Sequence, residues 1–242
     1  MPKHIGIVGV SAEGAALCYR TVCVEGASIL GRHAHPEVTM HTYPLSDYMR
    51  HIEAGRWDKV ASMLLDSAEK LRLAGADLLI CPDNTAHEAI DLIRDRSPLP
   101  WLHIAEEVAY EAKRKGFKKV GLTGTKYLIE GTVYPSKFMA VNVKLAIPNA
   151  SQRNRINEII FNELVKGQFL PKSLEYFQQV IVDFKQQGCD AVALSCTEIP
   201  LLIPERASPL PTLDSTRVLA RAALHRAANT AQHMSAMDRP VV

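Results

Sequence analysis

The sequence has little that would indicate a secreted, membrane-spanning or nucleic-acid-binding protein. Its five cysteines form no Cys-x-x-Cys pair and no disulfide spacing. It has no run of about 18 apolar residues, so no segment is predicted to span a bilayer. The net charge of +2 is too small to indicate nucleic acid or an anionic membrane as a partner. We therefore expect neither of these partners.

The first residues also lack export features. The segment MPKHIGIVGVSAEGAA runs directly into a strand pattern and has no signal-peptide cleavage features. Together with free thiols, this predicts a cytoplasmic location. The length of 242 residues allows one large domain or two small ones.

An internal duplication organises the chain. Three pairs of similar segments recur in the same order, at offsets of 113, 111 and 115 residues: GADLLICPDNT (75–85) with GCDAVALSCTE (188–198), SPLPWLHI (97–104) with SPLPTLDS (208–215), and IGIVGV (5–10) with VGLTGT (120–125). Matches in one order at nearly constant offset indicate two copies of one structural unit.

The hydrophobic pattern predicts an α/β fold. Continuous apolar runs predict strands buried on both faces, as in a parallel sheet, at 5–10, 78–82, 120–124 and 191–195. Apolar residues at helical spacing predict helices at 57–75, 154–167 and 174–188. Alternating strands and helices favour two pseudo-symmetric parallel-sheet α/β units, with the active site in the cleft between them.

The repeats also suggest a division of the chain. The N-terminal unit is expected at 1–98 with a returning segment at about 208–228, the C-terminal unit at 99–207, and a flexible tail at 229–242. Ligands in open parallel sheets bind at the carboxyl ends of the strands. The offset of 113 residues pairs Asp83 with Cys196 at two such ends, so both are expected to face one cleft.

Four motifs in order carry a family resemblance: NTAH (84–87), GLTGTKY (121–127), NEIIFNELVKGQF (157–169) and SCTEIPLL (195–202). With them the chain resembles the aspartate/glutamate racemase family, the cofactor-independent amino acid racemases, over residues 3–225. The resemblance implies an isomerase without pyridoxal phosphate, metal or other cofactor, in which two cysteines act on opposite faces of the substrate α-carbon. Cys196 matches the second of these cysteines, and Asp83 stands where the first belongs. We also expect a homodimer.

Asp83 and Cys196 are the candidate catalytic residues. A thiol, with an ordinary pKa of about 8.5, suits proton transfer near neutral pH, whereas a carboxyl at about 3.9 is a weaker base. Burial in the cleft would raise the pKa of Asp83. The alternative is that Asp83 only caps the following helix.

Other polar residues could bind the substrate. Those on the loops and at the expected helix starts are Ser11, Asn84, Thr85, Thr197 and Glu198, where backbone amides favour anions. Thr123 and Thr125 could add hydroxyl donors. Lys166 could hold a second carboxylate, or it could be a helix C-terminal charge only. The histidines of HAHP (33–36) lack a carboxylate or cysteine at ligand spacing, so no metal site is expected.

The resemblance therefore implies an amino acid racemase that acts on a small carboxylate or amino acid by proton removal and return at the α-carbon. Its activity could be slow or of altered specificity because of Asp83. Two alternatives stay open. One is a single-thiol decarboxylase or lyase of the same fold, in which one cysteine protonates one face. The other is a non-catalytic binder of small carboxylates.

Overall fold

The computed structural model describes residues 2–228, and the predicted tail at 229–242 lies outside them. Two parallel four-stranded sheets form its centre, with the strand orders β2-β1-β3-β4 and β6-β5-β7-β8. The strands are β1 (Ile5–Gly9), β2 (Val38–Thr42), β3 (Leu78–Ile80), β4 (Trp101–Leu102), β5 (Lys119–Thr123), β6 (Lys144–Ala146), β7 (Ala191–Leu194) and β8 (Thr212–Asp214). The matching orders confirm the predicted fold of two similar α/β units.

Helices connect these strands and cover the sheets. They are α1 (Ala12–Leu30), α2 (Leu45–Ile52), α3 (Trp57–Leu73), α4 (His87–Ile90), α5 (Ile104–Arg114), α6 (Lys126–Ile129), α7 (Val133–Ala140), α8 (Ala150–Asn162), α9 (Pro171–Gln186), α10 (Ile199–Leu202) and α11 (Ser215–Ala227). Short 3-10 turns lie at Arg94–Arg96, Leu164–Lys166 and Glu205–Ala207. No helix in residues 2–228 is long and apolar enough to cross a membrane.

The helix predicted over 154–167 differs from the observed one. Helix α8 begins earlier, at Ala150, because Asn149 and Gln152 form a capping box there. It ends at Asn162, and a 3-10 turn follows. Gly167 ends that turn with a left-handed φ of 71°, which a glycine adopts without strain.

The two units exchange their last helices. Strand β4 pairs with the first sheet, but the next helix, α5, packs into the core of the second unit. Strand β8 pairs with the second sheet, and the following α11 packs on the first sheet. Within the segment 208–228, which the repeats predict to return to the first unit, only the helix does so. The division of the chain into units otherwise stays a prediction.

The central strands lie in apolar cores. Strands β1, β3 and β7 are buried along their whole length, as expected for parallel strands covered on both faces. In the second unit, the ring of Phe184 packs directly on Gly121 of β5, so closely that a Cβ at that position would clash with it. This contact brings helix α9 against the sheet that carries Cys196.

Replacement of Phe184 by alanine should therefore destabilise the protein strongly. The side chain is 1% exposed, and its loss leaves a cavity over Gly121. We expect the free energy of unfolding in urea to fall by about 3–5 kcal/mol. The matched control is Phe169→Ala, at a residue that is 41% exposed, and its effect should be below about 1 kcal/mol. Equal effects of the two substitutions would contradict this packing.

Candidate active site

A cleft at the carboxyl ends of the central strands receives residues from both units. Asp83 follows β3, Cys196 follows β7, and both line this cleft. Its empty volume is about 540 Å³, which includes space open to solvent. The other predicted site residues that line it are Ser11, Asn84, Thr85, Thr125, Thr197 and Glu198.

Two predicted binding residues do not reach the cleft. Thr123 is fully buried, and its hydroxyl donates to the carbonyl of Ala193 at 2.8 Å, which links β5 to β7. Lys166 is exposed and is not among the residues that line the cleft. The expected roles of these two side chains have no support in the geometry.

Hydroxyl pairs connect the two units across the cleft. The Ser11 and Thr197 hydroxyls are 3.1 Å apart, and the Thr85 and Thr125 hydroxyls are also 3.1 Å apart. Ser11 and Thr125 have equivalent local roles, since each caps the helix that follows the first strand of its unit. Each pair therefore joins a helix cap of one unit to the strand-end loop of the other.

A glycine allows the first of these contacts. A Cβ on Gly14 would lie 2.8 Å from the carbonyl oxygen of Pro82 and would also clash with the Thr197 side chain. Only glycine lets the start of α1 approach both strand-end loops this closely. The Ser11 hydroxyl, which accepts from the Gly14 amide at 3.2 Å, is placed beside Thr197 by the same approach.

Asn84 is held by a buried hydrogen-bond network. Its amide nitrogen donates to the Ser215 hydroxyl at 3.0 Å, and its amide oxygen accepts from the Tyr134 hydroxyl at 2.7 Å. The Ser215 hydroxyl donates in turn to the carbonyl of Leu194 at 3.0 Å. The Asn84 side chain thus fixes the loop after β3 to the second unit. Its amide group is already engaged in these bonds.

The expected helix starts at residues 84–85 and 197–198 lie elsewhere. Helices α4 and α10 begin at His87 and Ile199 and have four residues each, so a strong anion site from helix dipoles is not supported. Asp83 makes a local hydrogen bond, in which its carboxylate accepts from the Ala86 amide at 2.8 Å. The N-cap residue of α4 is Ala86, so this bond holds the turn before the helix, and the carboxyl group also lines the cleft.

The pKa of Asp83 is raised to about 6, chiefly because burial penalises the carboxylate. The negative charge of Glu198 raises it further, while the Ala86 and Thr85 amides oppose the shift. This pKa brings the group close to neutral pH, where a general base or acid is most effective.

The thiol of Cys196 is kept protonated. Burial raises its pKa well above the ordinary value, and the carboxylate of Glu198 adds to the effect. The thiol donates to Glu198 Oε2 at 3.0 Å, and the charge of Asp83 is a smaller contribution in the same direction. Glu198 therefore contacts the candidate catalytic thiol directly. At neutral pH the pair consists of an acid at Cys196 and a mostly ionised carboxylate at Asp83.

His87 positions the Asp83 loop, a role that the sequence analysis did not assign. Its Nε2 accepts from the Ile104 amide at 3.1 Å, so its Nδ1 carries the proton and donates to the carbonyl of Asp83 at 2.7 Å. Burial lowers the pKa of His87 to about 4, which keeps the ring neutral. Its place in the NTAH motif, four residues after Asp83, was the available signal.

The rest of the cleft wall is mostly apolar: besides the polar Ser195, it consists of Val10, Leu45, Met49, Ile52, Tyr127, Ile160, Phe161 and Val165. Its charged lining residues, within the part of the chain that the structure describes, are the carboxyl groups of Asp83 and Glu198. Residues 2–228 contain no group of three or more His, Cys, Asp or Glu side chains that could hold a metal ion.

Comparison with known proteins finds matches to racemases. The family model described as Asp/Glu/Hydantoin racemase matches residues 5–223. The chain is 27% identical over 167 residues to the broad specificity amino-acid racemase RacX of Bacillus subtilis (strain 168), covering 68% of this chain and 70% of that protein. It is also 27% identical over 151 residues to a glutamate racemase of Desulforudis audaxviator, covering 60% of this chain and 54% of that protein.

Solved structures with the same fold include two with higher coverage. A putative Asp/Glu racemase from Yersinia pestis superposes with a TM-score of 0.85 at 29% identity, covering 93% of this chain and 99% of the other. An aspartate racemase homologue from Pyrococcus horikoshii OT3 superposes with a TM-score of 0.81 at 26% identity, with the same coverage of both chains. The two-unit architecture is thus shared along nearly the whole chain.

The burial of Asp83 predicts a pH-dependent effect of Asp83→Asn on stability. The folded-state pKa of about 6 lies above the ordinary value of 3.8, so ionisation of Asp83 destabilises the fold as pH rises through this interval. The amide oxygen of the substituted side chain would keep the hydrogen bond from the Ala86 amide without the charge. The variant should be more stable than the parent in urea at pH 8, and the difference should shrink toward pH 4.

Asp95→Asn is the matched control, because it removes the same charge at an exposed residue. Its stability difference from the parent should not follow this pH dependence. An Asp83→Asn variant that is less stable than the parent at pH 8 would contradict the buried-carboxylate account.

Proposed function

The chain belongs to the Asp/Glu/hydantoin racemase family, and we propose that it is a cofactor-independent amino acid racemase in which Asp83 and Cys196 act on opposite faces of the α-carbon. The observation that carries this proposal is the position of the two side chains. They come from equivalent strand ends of the two units, and both line one cleft. A two-base mechanism needs one acid–base group on each face.

The protonation states give the two residues complementary roles. Asp83, with a pKa of about 6, is mostly ionised at neutral pH and removes the α-proton from one face. The electron pair of the broken C–H bond delocalises onto the substrate carboxylate. The Cys196 thiol then gives its proton to the other face of the α-carbon. Inversion leaves Asp83 protonated and Cys196 as a thiolate, so the net number of protons on the enzyme is unchanged.

The enzyme returns to its resting state by proton exchange. A thiolate at Cys196 is unfavourable, because the site is buried and Glu198 lies beside it. The thiolate therefore regains a proton, and Asp83 releases one to solvent. Glu198 accepts the thiol hydrogen bond at 3.0 Å and so orients the Sγ–H before transfer.

The hydroxyl pairs are the proposed contacts of the substrate carboxylate. Ser11 with Thr197, and Thr85 with Thr125, bring four hydroxyl groups to the cleft from both units. Hydroxyl donors stabilise the negative charge that grows on this carboxylate when the α-proton leaves. The substrate ammonium group then faces the carboxylates of Asp83 and Glu198, which offset its charge.

The alternatives make different use of the same residues. A single-thiol lyase would need only the protonated Cys196, and a binder of small carboxylates would need neither acid–base group. Cytoplasmic location and a homodimer stay predictions that the proposal does not require.

Cys196→Ser should remove racemisation, since a hydroxyl is a far weaker acid than a thiol. We expect the rate to fall by about 10²- to 10⁴-fold, the usual contribution of one acid–base group. Chiral chromatography after incubation with a panel of L- and D-amino acids measures it. Cys23→Ser, the same change at a cysteine of α1 that does not line the cleft, is the control and should keep the parent rate. A Cys196→Ser variant with near-parent rate would exclude the mechanism.

A further inference from the structure

The residues of the cleft wall indicate which kind of substrate side chain the cleft can bind. Six apolar residues approach the catalytic pair from both units: Leu45, Met49 and Ile52 on α2, and Ile160, Phe161 and Val165 on α8 and the turn after it. We infer that the substrate side chain is apolar and uncharged, aliphatic or aromatic, and that it is not the carboxylate of aspartate or glutamate. This inference rests on the proposed racemase function and names its substrate class.

The apolar residues form two opposing parts of the wall. Helix α2 follows the edge strand β2 of the first sheet, and α8 follows the edge strand β6 of the second. Both helices therefore have the same position in the duplicated fold, one on each side of the cleft. An apolar side chain that leaves the α-carbon between Asp83 and Cys196 can be buried by both, and such burial is favourable in proportion to the area removed from water.

Three cationic side chains belong to elements near this region. Arg50 of α2 is exposed and donates to Asp47 at 3.1 Å. Lys166 is exposed. Lys126 has its Nζ 5.2 Å from the centre of the Tyr127 ring. None of the three is among the residues that line the cleft, so the described wall offers no cation to a second carboxylate.

The charges of the cleft act against a dicarboxylic substrate. An α-amino acid with a neutral side chain brings one carboxylate and one ammonium, and the ammonium offsets Asp83 and Glu198. Aspartate or glutamate would bring a further carboxylate into a wall of apolar groups beside those two carboxyls. An unpaired buried charge is strongly disfavoured, and the like charges add repulsion.

Binding to the full-length Cys196→Ser variant tests the substrate class with racemisation strongly reduced. Isothermal titration with both enantiomers of leucine, phenylalanine, aspartate and glutamate gives the dissociation constants. We expect leucine or phenylalanine to bind at least about 10-fold more tightly than either acidic amino acid. Equal or tighter binding of aspartate or glutamate overturns the inference, and so does the absence of binding by all four.

Racemisation by the parent protein then separates this inference from the proposed function. If leucine or phenylalanine binds with the expected preference but no amino acid is racemised, the proposed function fails and the apolar ligand class stands. If aspartate or glutamate is racemised at least as efficiently as the apolar amino acids, the proposed function stands and the substrate class is wrong.

Lysine side chains introduced into the cleft wall should weaken the preference for apolar over acidic amino acids. The variants are Val165→Lys and Met49→Lys, at partly buried residues on opposite sides of the cleft. In the Cys196→Ser background, each should shift the ratio of the dissociation constants of leucine and aspartate toward aspartate by about 10-fold or more. Ile147→Lys is the control, at a 47% exposed residue that does not line the cleft, and should leave the ratio unchanged. Circular dichroism checks that each variant is folded. Because two positions are tested, the experiment still gives a result if one variant does not fold. An unchanged ratio in a folded wall variant overturns the inference.

Discussion

The exchange of helices between the two sheets is the constraint on which the cleft depends. Helix α11 follows the last strand of the second sheet but packs on the first, beside α1. Helix α5 follows the last strand of the first sheet and packs in the second. The two exchanged helices also contact each other, and Arg221 of α11 pairs with Glu25 of α1 at 2.7 Å. The strand ends that carry Asp83 and Cys196 are therefore held toward one another by the fold itself.

Asp83 and Cys196 have equivalent positions in the duplicated fold but differ in their pKa. Burial raises the pKa of both side chains, but from different ordinary values, so Asp83 reaches about 6 while Cys196 rises far above neutral pH. In the proposed mechanism, Asp83 is the base and Cys196 the acid. Two enantiomers have equal free energies, so this asymmetry cannot change the equilibrium of racemisation. In the proposed mechanism, each enantiomer reacts with a different protonation state of the Asp83 and Cys196 pair.

Because of the duplicated segments, much of the fold could be predicted from the sequence, and so could the placement of Asp83 and Cys196 at one cleft. Buried parallel strands appear as continuous apolar runs, and a constant offset transfers a position in one unit to the other, which pairs Asp83 with Cys196. Other features depend on tertiary contacts. The helical pattern does not reveal that α8 ends at Asn162 or that Lys166 lies in the 3-10 turn after it. Leu45 and Met49 have the apolar spacing of any core-facing helix, so their place in a cleft wall required the structure.

Hydrogen exchange at the α-carbon tests most directly whether Asp83 and Cys196 act on opposite faces. Each enantiomer of an amino acid that the parent racemises would be incubated in heavy water with Cys196→Ser and with Asp83→Asn, and deuterium entry would be followed by proton NMR. We predict exchange without inversion, confined to one enantiomer with Cys196→Ser and to the opposite enantiomer, at a slower rate, with Asp83→Asn. Exchange of the same enantiomer by both variants, or parent-like racemisation by Asp83→Asn, would contradict the account.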